Sequence, residues 1–236
     1  MKKLFFPYLL ANYPDPQRFS EIFEHTQQYA DTIEIGIPFS DPVADGPIIA
    51  SAVTRVLEKG FQLDSLFRLL QNKQSKVPIA LMSYANPILA YGLQSFLASA
   101  KQCGVHHLIV PDVPFEESDS WRATVRESGI NWISFISLVT REERLRRIAE
   151  ASEGFIYLLA LKGITGSNIG AAKNIVDQAR KIRRHTKTPI ALGFGVKSAK
   201  DTLPFHNDID AFIVGSKIIE LIDSKQDLEE FYKTFL

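Results

Sequence analysis

Apolar positions along the chain alternate between two spacings. Short β-branched runs occur at LFFPYLL (4–10), TIEIG (32–36), VPIALMS (77–83) and VHHLIVP (105–111). Four more follow at INWISFI (130–136), FIYLLA (155–160), PIALGF (189–194) and AFIVG (211–215). Between them the spacing turns helical, as in Asp15 to Tyr29, IIASAVTRVLEKG (48–60), Leu93 to Lys101, Arg141 to Ala151 and Ala171 to Arg184. Most strand runs are almost continuously apolar, which parallel strands covered on both faces require. Eight such units with no compositional break predict an α/β fold, a closed (β/α)8 TIM barrel, as a single domain over residues 1–236. An open doubly wound sheet carries its phosphate-binding glycines after the first strand. Here ANYPDP follows the first run, and the glycines gather after the sixth, seventh and eighth.

Composition narrows the function classes. Hydrophobic residues make up 45% and charged residues 23% of the 236, ordinary for a globular protein with one large core. Lys+Arg and Asp+Glu each number 27, a balance that argues against a nucleic-acid groove or an anionic membrane surface. The single cysteine, Cys103, leaves no intramolecular disulfide and fits a reducing cytoplasm. MKKLFFPYLLA imitates the start of a secretory signal, but Pro7 interrupts the run and no small-residue cleavage site follows. The segment reads instead as a buried first strand, and no apolar run is long enough to span a bilayer.

The late glycines lie in KGITGSNIG (162–170), LGFGVKS (192–198) and VGSKI (214–218). Backbone N–H groups at a helix start hold a phosphate dianion, and glycine allows close approach because it lacks Cβ. One such glycine would be only a tight turn. Three segments at the end of a barrel point to a phosphate-ester ligand held by Gly163, Gly166, Gly193, Gly195, Gly215 and Ser216. Lys162 and Lys217 either add charge nearby or are simply solvated.

Carboxylates supply the remaining chemistry. In TIEIG, alternation points Glu34 away from Ile33 and Ile35, at the C-terminal end of a strand where barrel active sites sit. Burial there would raise its pKa and suit it to act as both acid and base near neutrality. Asp45 precedes Gly46-Pro47 and a helical stretch, so capping and catalysis are both open to it. Asp41-Pro42 reads first as a turn. His106 and His107 are adjacent on one strand without further ligands, which favours packing over metal binding, and no metal is expected. Asp112 reads as a structural hydrogen-bonding group and Cys103 as a packed apolar residue.

The run EIGIPFSDPVADGP (34–47) is the most specific segment. Together with YANP (84–87), PDVPFEE (111–117), FIYLLALKGITG (155–166) and ALGFGV (191–196), in that order, it resembles the tryptophan synthase alpha subunit family. The resemblance covers nearly the whole chain. It implies retro-aldol cleavage of indole-3-glycerol phosphate to indole and glyceraldehyde 3-phosphate. Glu34 then matches the family's acid/base glutamate and Asp45 the aspartate beside the indole nitrogen. Tyr157 matches a tyrosine near the site, and Thr165 the threonine of a loop that contacts the aspartate on closure. Tyr8, Ile49, Leu81, Tyr157 and Phe194 are expected to line the indole end.

The resemblance also implies a β subunit that uses pyridoxal phosphate to join indole to serine, in an α2β2 complex. Pro38, Phe39, Asp41 and Asn86 match positions at or near that contact, and no cofactor is expected in this chain itself. The chain departs from the family at Leu10, where threonine is frequent, and at Leu161, where arginine is common; its start also lacks the usual leading helix. These departures keep open a mainly regulatory subunit that activates the β partner with weak lyase activity of its own. Another phosphate-binding barrel, such as a phosphoribosyl isomerase, fits the segment around Glu34 and Asp45 less well.

Overall fold

The structure is a computed structural model that describes residues 3–160, 169–193 and 195–236. Eight parallel strands close into a barrel in sequence order. They are β1 (Leu4–Leu10), β2 (Ile33–Gly36), β3 (Ile79–Met82), β4 (Val105–Ile109), β5 (Asn131–Ser137), β6 (Ile156–Leu159), β7 (Ile190–Gly193) and β8 (Ala211–Val214). Seven of the eight apolar runs read from the sequence contain one of them whole, and β5 overruns INWISFI (130–136) by one residue, Ser137.

The helices are α1 (Pro16–Thr26), α2 (Pro47–Glu58), α3 (Leu63–Lys73), α4 (Ala85–Tyr91) and α5 (Leu93–Gln102). After them come α6 (Asp119–Glu127), α7 (Glu142–Ala151), α8 (Ile169–Arg183), α9 (Ser216–Asp223) and α10 (Leu228–Lys233). Helix α1 shows why such a segment starts where it does. Asp15 is extended at the N-cap and accepts the Arg18 N–H at 2.9 Å, with Pro16 preset for the first helical position. Between β7 and β8 the chain forms the 3-10 segment Ala199–Phe205, which contains Pro204. Proline lacks an N–H and clashes with the preceding turn, so a regular α-helix does not form there.

Strand alternation divides the core into two layers. Ile33, Ile35, Ile79, Leu81, Leu158 and Leu192 are buried in the layer that includes Phe19, Leu66 and Phe96 of the surrounding helices. Phe6, Tyr8, Ala80, Met82, Tyr157, Ala191 and Ile213 belong to the other layer, which fills the barrel. Phe6 of β1 meets Phe155, just before β6, edge-on at 5.3 Å between ring centroids. Those two strands are not neighbours in the sheet, so the contact crosses the barrel interior.

Two glycines make room inside. A Cβ on Gly36 would lie 2.1 Å from the Tyr8 hydroxyl, and one on Gly193 would lie 2.1 Å from the Tyr157 ring. In both cases the glycine stands two residues beyond the one that pairs with the tyrosine, Glu34 for Tyr8 and Ala191 for Tyr157. Gly193, expected at the phosphate, leaves a slot for an interior ring.

The histidine pair sits at the opposite end. A register shift between Ile79 and Ala80 leaves His106 out of the pairing and exposed, while His107 packs edge-on against Phe155 at 5.4 Å. Burial, then the neighbouring His106, lowers the His107 pKa to about 4, so its ring is neutral at pH 7. Among the described residues no cluster of His, Cys, Asp or Glu is arranged to hold a metal ion. No described helix is long and apolar enough to cross a membrane.

Candidate active site

Strand β2 carries Glu34 into the barrel. Glu34 pairs with Tyr8 on one side and Ala80 on the other, both of the interior layer. It is 2% exposed, and its Oε2 has no hydrogen-bond partner among the described residues. A carboxylate left dry and unpaired is expensive in its charged form, so the proton is retained. Burial, with a smaller contribution from Asp45, raises the Glu34 pKa to about 8. Tyr8 and Tyr157, the buried rings beside it, are pushed well above the usual phenol range, first by burial and then by these carboxyl groups.

Asp45 reaches the same cavity from the loop between β2 and α2. The N-cap of α2 is Gly46, with no side-chain capping bond, so Asp45 does not cap this helix. The Tyr84 hydroxyl instead donates to Asp45 Oδ2 at 3.4 Å and accepts the Ala44 N–H at 3.2 Å. One phenol thus holds both the carboxyl group and the loop that carries it. Burial raises the Asp45 pKa, and the Tyr84 hydrogen bond opposes that rise by favouring the ionised form. Phe39 packs on the Tyr84 ring at 5.1 Å between centroids.

The cavity has an apolar wall and a backbone-rich end. Tyr8, Ile49, Met82, Tyr157 and Ile213 form the wall around the carboxyl groups. Gly195, Val196, Gly215 and Ser216 line the other end. Gly195 takes a φ of 98°, a conformation that glycine adopts without strain. Gly215 is the N-cap of α9, and no side chain caps that helix start. The first amides of α9 have no intrahelical acceptor and carry the positive end of the helix dipole, a setting that favours an anion.

Most residues expected at the site from the sequence meet here: Glu34, Asp45, Tyr8, Ile49, Tyr157, Gly195, Gly215 and Ser216. Leu81 does not. It lies in the outer layer against the helices, and Met82, one residue on, takes its place in the cavity wall. Gly163, Thr165, Gly166 and Phe194, with Leu161 and Lys162, lie outside the described residues. Lys217 is drawn off into a pair with Glu220 at 3.4 Å.

Of the residues expected at a partner, Pro38 is buried, Phe39 is half-buried, and Asp41 and Asn86 are exposed. Two large apolar side chains stand exposed nearby in the chain, Val43 in the loop after β2 at 75% and Leu89 of α4 at 56% exposure. Asp41 accepts the Ser40 hydroxyl at 2.5 Å within its turn. Asp112 accepts the Ala85 N–H at the start of α4, at 3.0 Å to Oδ1. Cys103 is buried and donates to the Phe67 carbonyl at 3.2 Å.

Tyr84, Met82 and Lys197 belong to the site and were not singled out from the sequence. YANP and LGFGVKS contain Tyr84 and Lys197, but neither residue breaks a pattern there.

Comparison with known proteins agrees with this architecture. The family described as tryptophan synthase alpha chain matches residues 1–234. A tryptophan synthase alpha chain from Caldicellulosiruptor saccharolyticus is 37% identical over 234 residues, covering 99% of this chain and 92% of the relative. One from Bacillus cereus is 35% identical over 228 residues, covering 95% and 88%. The Pyrococcus furiosus tryptophan synthase a2b2 complex contains a chain that superposes with a TM-score of 0.90 at 34% identity, covering 100% of this chain and 98% of that one. Subunit alpha from Campylobacter jejuni superposes with a TM-score of 0.89 at 34% identity, covering 99% and 94%. With a matching fold and relatives of this similarity along almost its whole length, the chain belongs to the tryptophan synthase alpha chain family.

Proposed function

We propose that this chain, a member of a lyase family, cleaves indole-3-glycerol phosphate to indole and glyceraldehyde 3-phosphate. The observation that carries the reading is the single cavity. It places a dry carboxyl group with a pKa of about 8 and a second carboxyl group at one end, and the uncapped start of α9 at the other.

The reaction needs such an asymmetry. An indole carbanion is a poor leaving group, so C3 of the ring must first take a proton. Glu34 is protonated at neutral pH and donates that proton, leaving an indoleninium cation and a carboxylate. Asp45, held by Tyr84, accepts the indole N–H and stabilises the positive charge. The Glu34 carboxylate then removes the proton of the glycerol hydroxyl next to the ring. The C–C bond breaks, its electron pair returns to the ring, and the hydroxyl carbon becomes the aldehyde. Glu34 ends protonated again, so one group serves as acid and then base. The apolar wall holds the ring, and the amides around Gly215 and Ser216 hold the phosphate, which fixes the reacting geometry from a distance.

The Pyrococcus furiosus neighbour is an a2b2 complex. By the same reading this chain pairs with a β subunit, and the exposed Asp41, Val43, Asn86 and Leu89 suit the contact. Joining indole to serine requires an electron sink that acid–base groups do not supply, so pyridoxal phosphate is assigned to the partner. Cytoplasmic operation belongs to the same reading and fits the one unpaired cysteine. The test is to measure indole release from indole-3-glycerol phosphate by the full chain, alone and with a β subunit. Release in both conditions, faster with the partner, is expected. Activation of the partner with no release in either condition would mean a regulatory subunit instead.

A further inference from the structure

A phosphate ester entering this cavity brings close to two negative charges to a site that already holds the Asp45 carboxyl group beside the protonated Glu34. Helix-start amides offer only a fraction of a positive charge. Among the described residues lining the cavity there is one cationic side chain, Lys197. It stands two residues after Gly195, in the loop leaving β7, at the end of the cavity that also carries Gly215 and Ser216.

The backbone under Lys197 is fixed. The Asp201 carboxylate accepts the N–H of Lys197 at 3.0 Å, the N–H of Ser198 at 2.8 Å and the Ser198 hydroxyl at 3.1 Å. These bonds form the capping box that opens the 3-10 segment Ala199–Phe205. The side chain is not fixed in the same way. Lys197 is exposed, and its ammonium makes no ion pair or hydrogen bond among the described residues. Lys217 offers a contrast, because its ammonium is paired with Glu220 at 3.4 Å and it does not line the cavity.

Resting on the reading of this cavity as a phosphate-ester site, we propose that Lys197 is a phosphate-binding residue. It supplies the full positive charge that the backbone cradle lacks and favours a dianionic substrate over its non-phosphorylated counterpart. A lysine suits the task as a compact point charge on a flexible stem, reaching one oxygen while the amides at α9 take the others. Its exposure leaves the charge open to solvent, where it also attracts the substrate from solution.

The experiment uses the full chain and two probes, inorganic phosphate and glycerol 3-phosphate, with binding followed by calorimetry. Lys197→Met is expected to raise both dissociation constants about tenfold, the size of one charge-assisted contact. Lys197→Arg should recover most of that loss. In cleavage assays the Met variant should show the same factor in KM, a kcat changed less than twofold, and a KM that responds less steeply to added salt. Dissociation constants within twofold of wild type in the Met variant would overturn the proposal. A wild-type chain that binds glycerol 3-phosphate through Lys197 yet cleaves nothing would keep the proposal and sink the lyase reading. A wild-type chain that binds neither probe would sink both.

Discussion

The two ends of the cavity are built on opposite principles. Around Glu34 and Asp45 the chemistry lies in side chains whose properties come from their surroundings: a carboxyl group kept dry between tyrosines, and another held by a phenol. Around Gly195, Gly215 and Ser216 it lies in main-chain N–H groups that almost any residue would provide, and the sequence contributes by leaving side chains out. The first end should therefore respond to changes of a few atoms that leave the fold alone. The second should respond to added bulk and to lost charge.

The sharpest way to break that contrast is Glu34→Gln, which keeps the shape and removes the titratable group. The expected result is a fall in kcat of about 10³-fold with glycerol 3-phosphate binding unchanged within twofold. Near-normal turnover would show that the carboxylate end does not depend on Glu34.

The same substitution has a second readout in stability. The Glu34 pKa is raised from 4.5 to about 8 in the folded chain, so the native state keeps a proton that the unfolded chain releases. That contribution is fully present below about pH 4.5 and is lost as pH climbs towards 8, because the unfolded state binds fewer protons across this window. Glu34→Gln carries no such proton. Its stability relative to wild type is expected to improve by roughly 3 kcal/mol between pH 5 and pH 8. Denaturant melts at the two pH values measure this. An equal difference at both would mean that Glu34 is not held neutral.

The sequence made some of this visible and hid the rest for identifiable reasons. All eight strands were legible because apolar runs separated by helical spacing leave little choice of element. Glu34 was legible because one polar residue marks which face of TIEIG it occupies. VPIALMS has no such mark, so its two faces look alike, and Leu81 was expected where Met82 stands. The register that decides it, Glu34 beside Ala80, is a property of the closed sheet. Asp45 could cap or catalyse on local grounds, and only the position of Gly46 at the N-cap removes the capping role. Tyr84 and Lys197 gave no signal, since their partners lie 39 residues away in one case and are a cavity in the other.

Adding bulk probes how the glycines support the first end. A Cβ on Gly193 would sit 2.1 Å from the Tyr157 ring, too close for any rotamer adjustment to be free. Gly193→Ala is expected to cost about 1–3 kcal/mol, roughly 5 °C in the unfolding temperature, by displacing that ring. Cleavage should fall with it, although Gly193 is not among the residues lining the cavity. An unchanged melting curve would mean that the slot has room to spare.

The smallest effect is expected from Tyr84→Phe, which removes one oxygen and keeps the ring packed against Phe39. Asp45 would lose the hydrogen bond that favours its ionised form, so its pKa should rise further and the acid limb of the kcat/KM profile should move to higher pH. The Ala44 N–H would lose its acceptor as well, loosening the loop that carries the carboxyl group. Together these losses should lower kcat/KM about fivefold to tenfold, the size of one ordinary hydrogen bond. Glycerol 3-phosphate binding, which depends on the other end, should not change. A lower rate with an unmoved acid limb would make Tyr84 a packing residue, and the carboxylate end would then rest on burial alone.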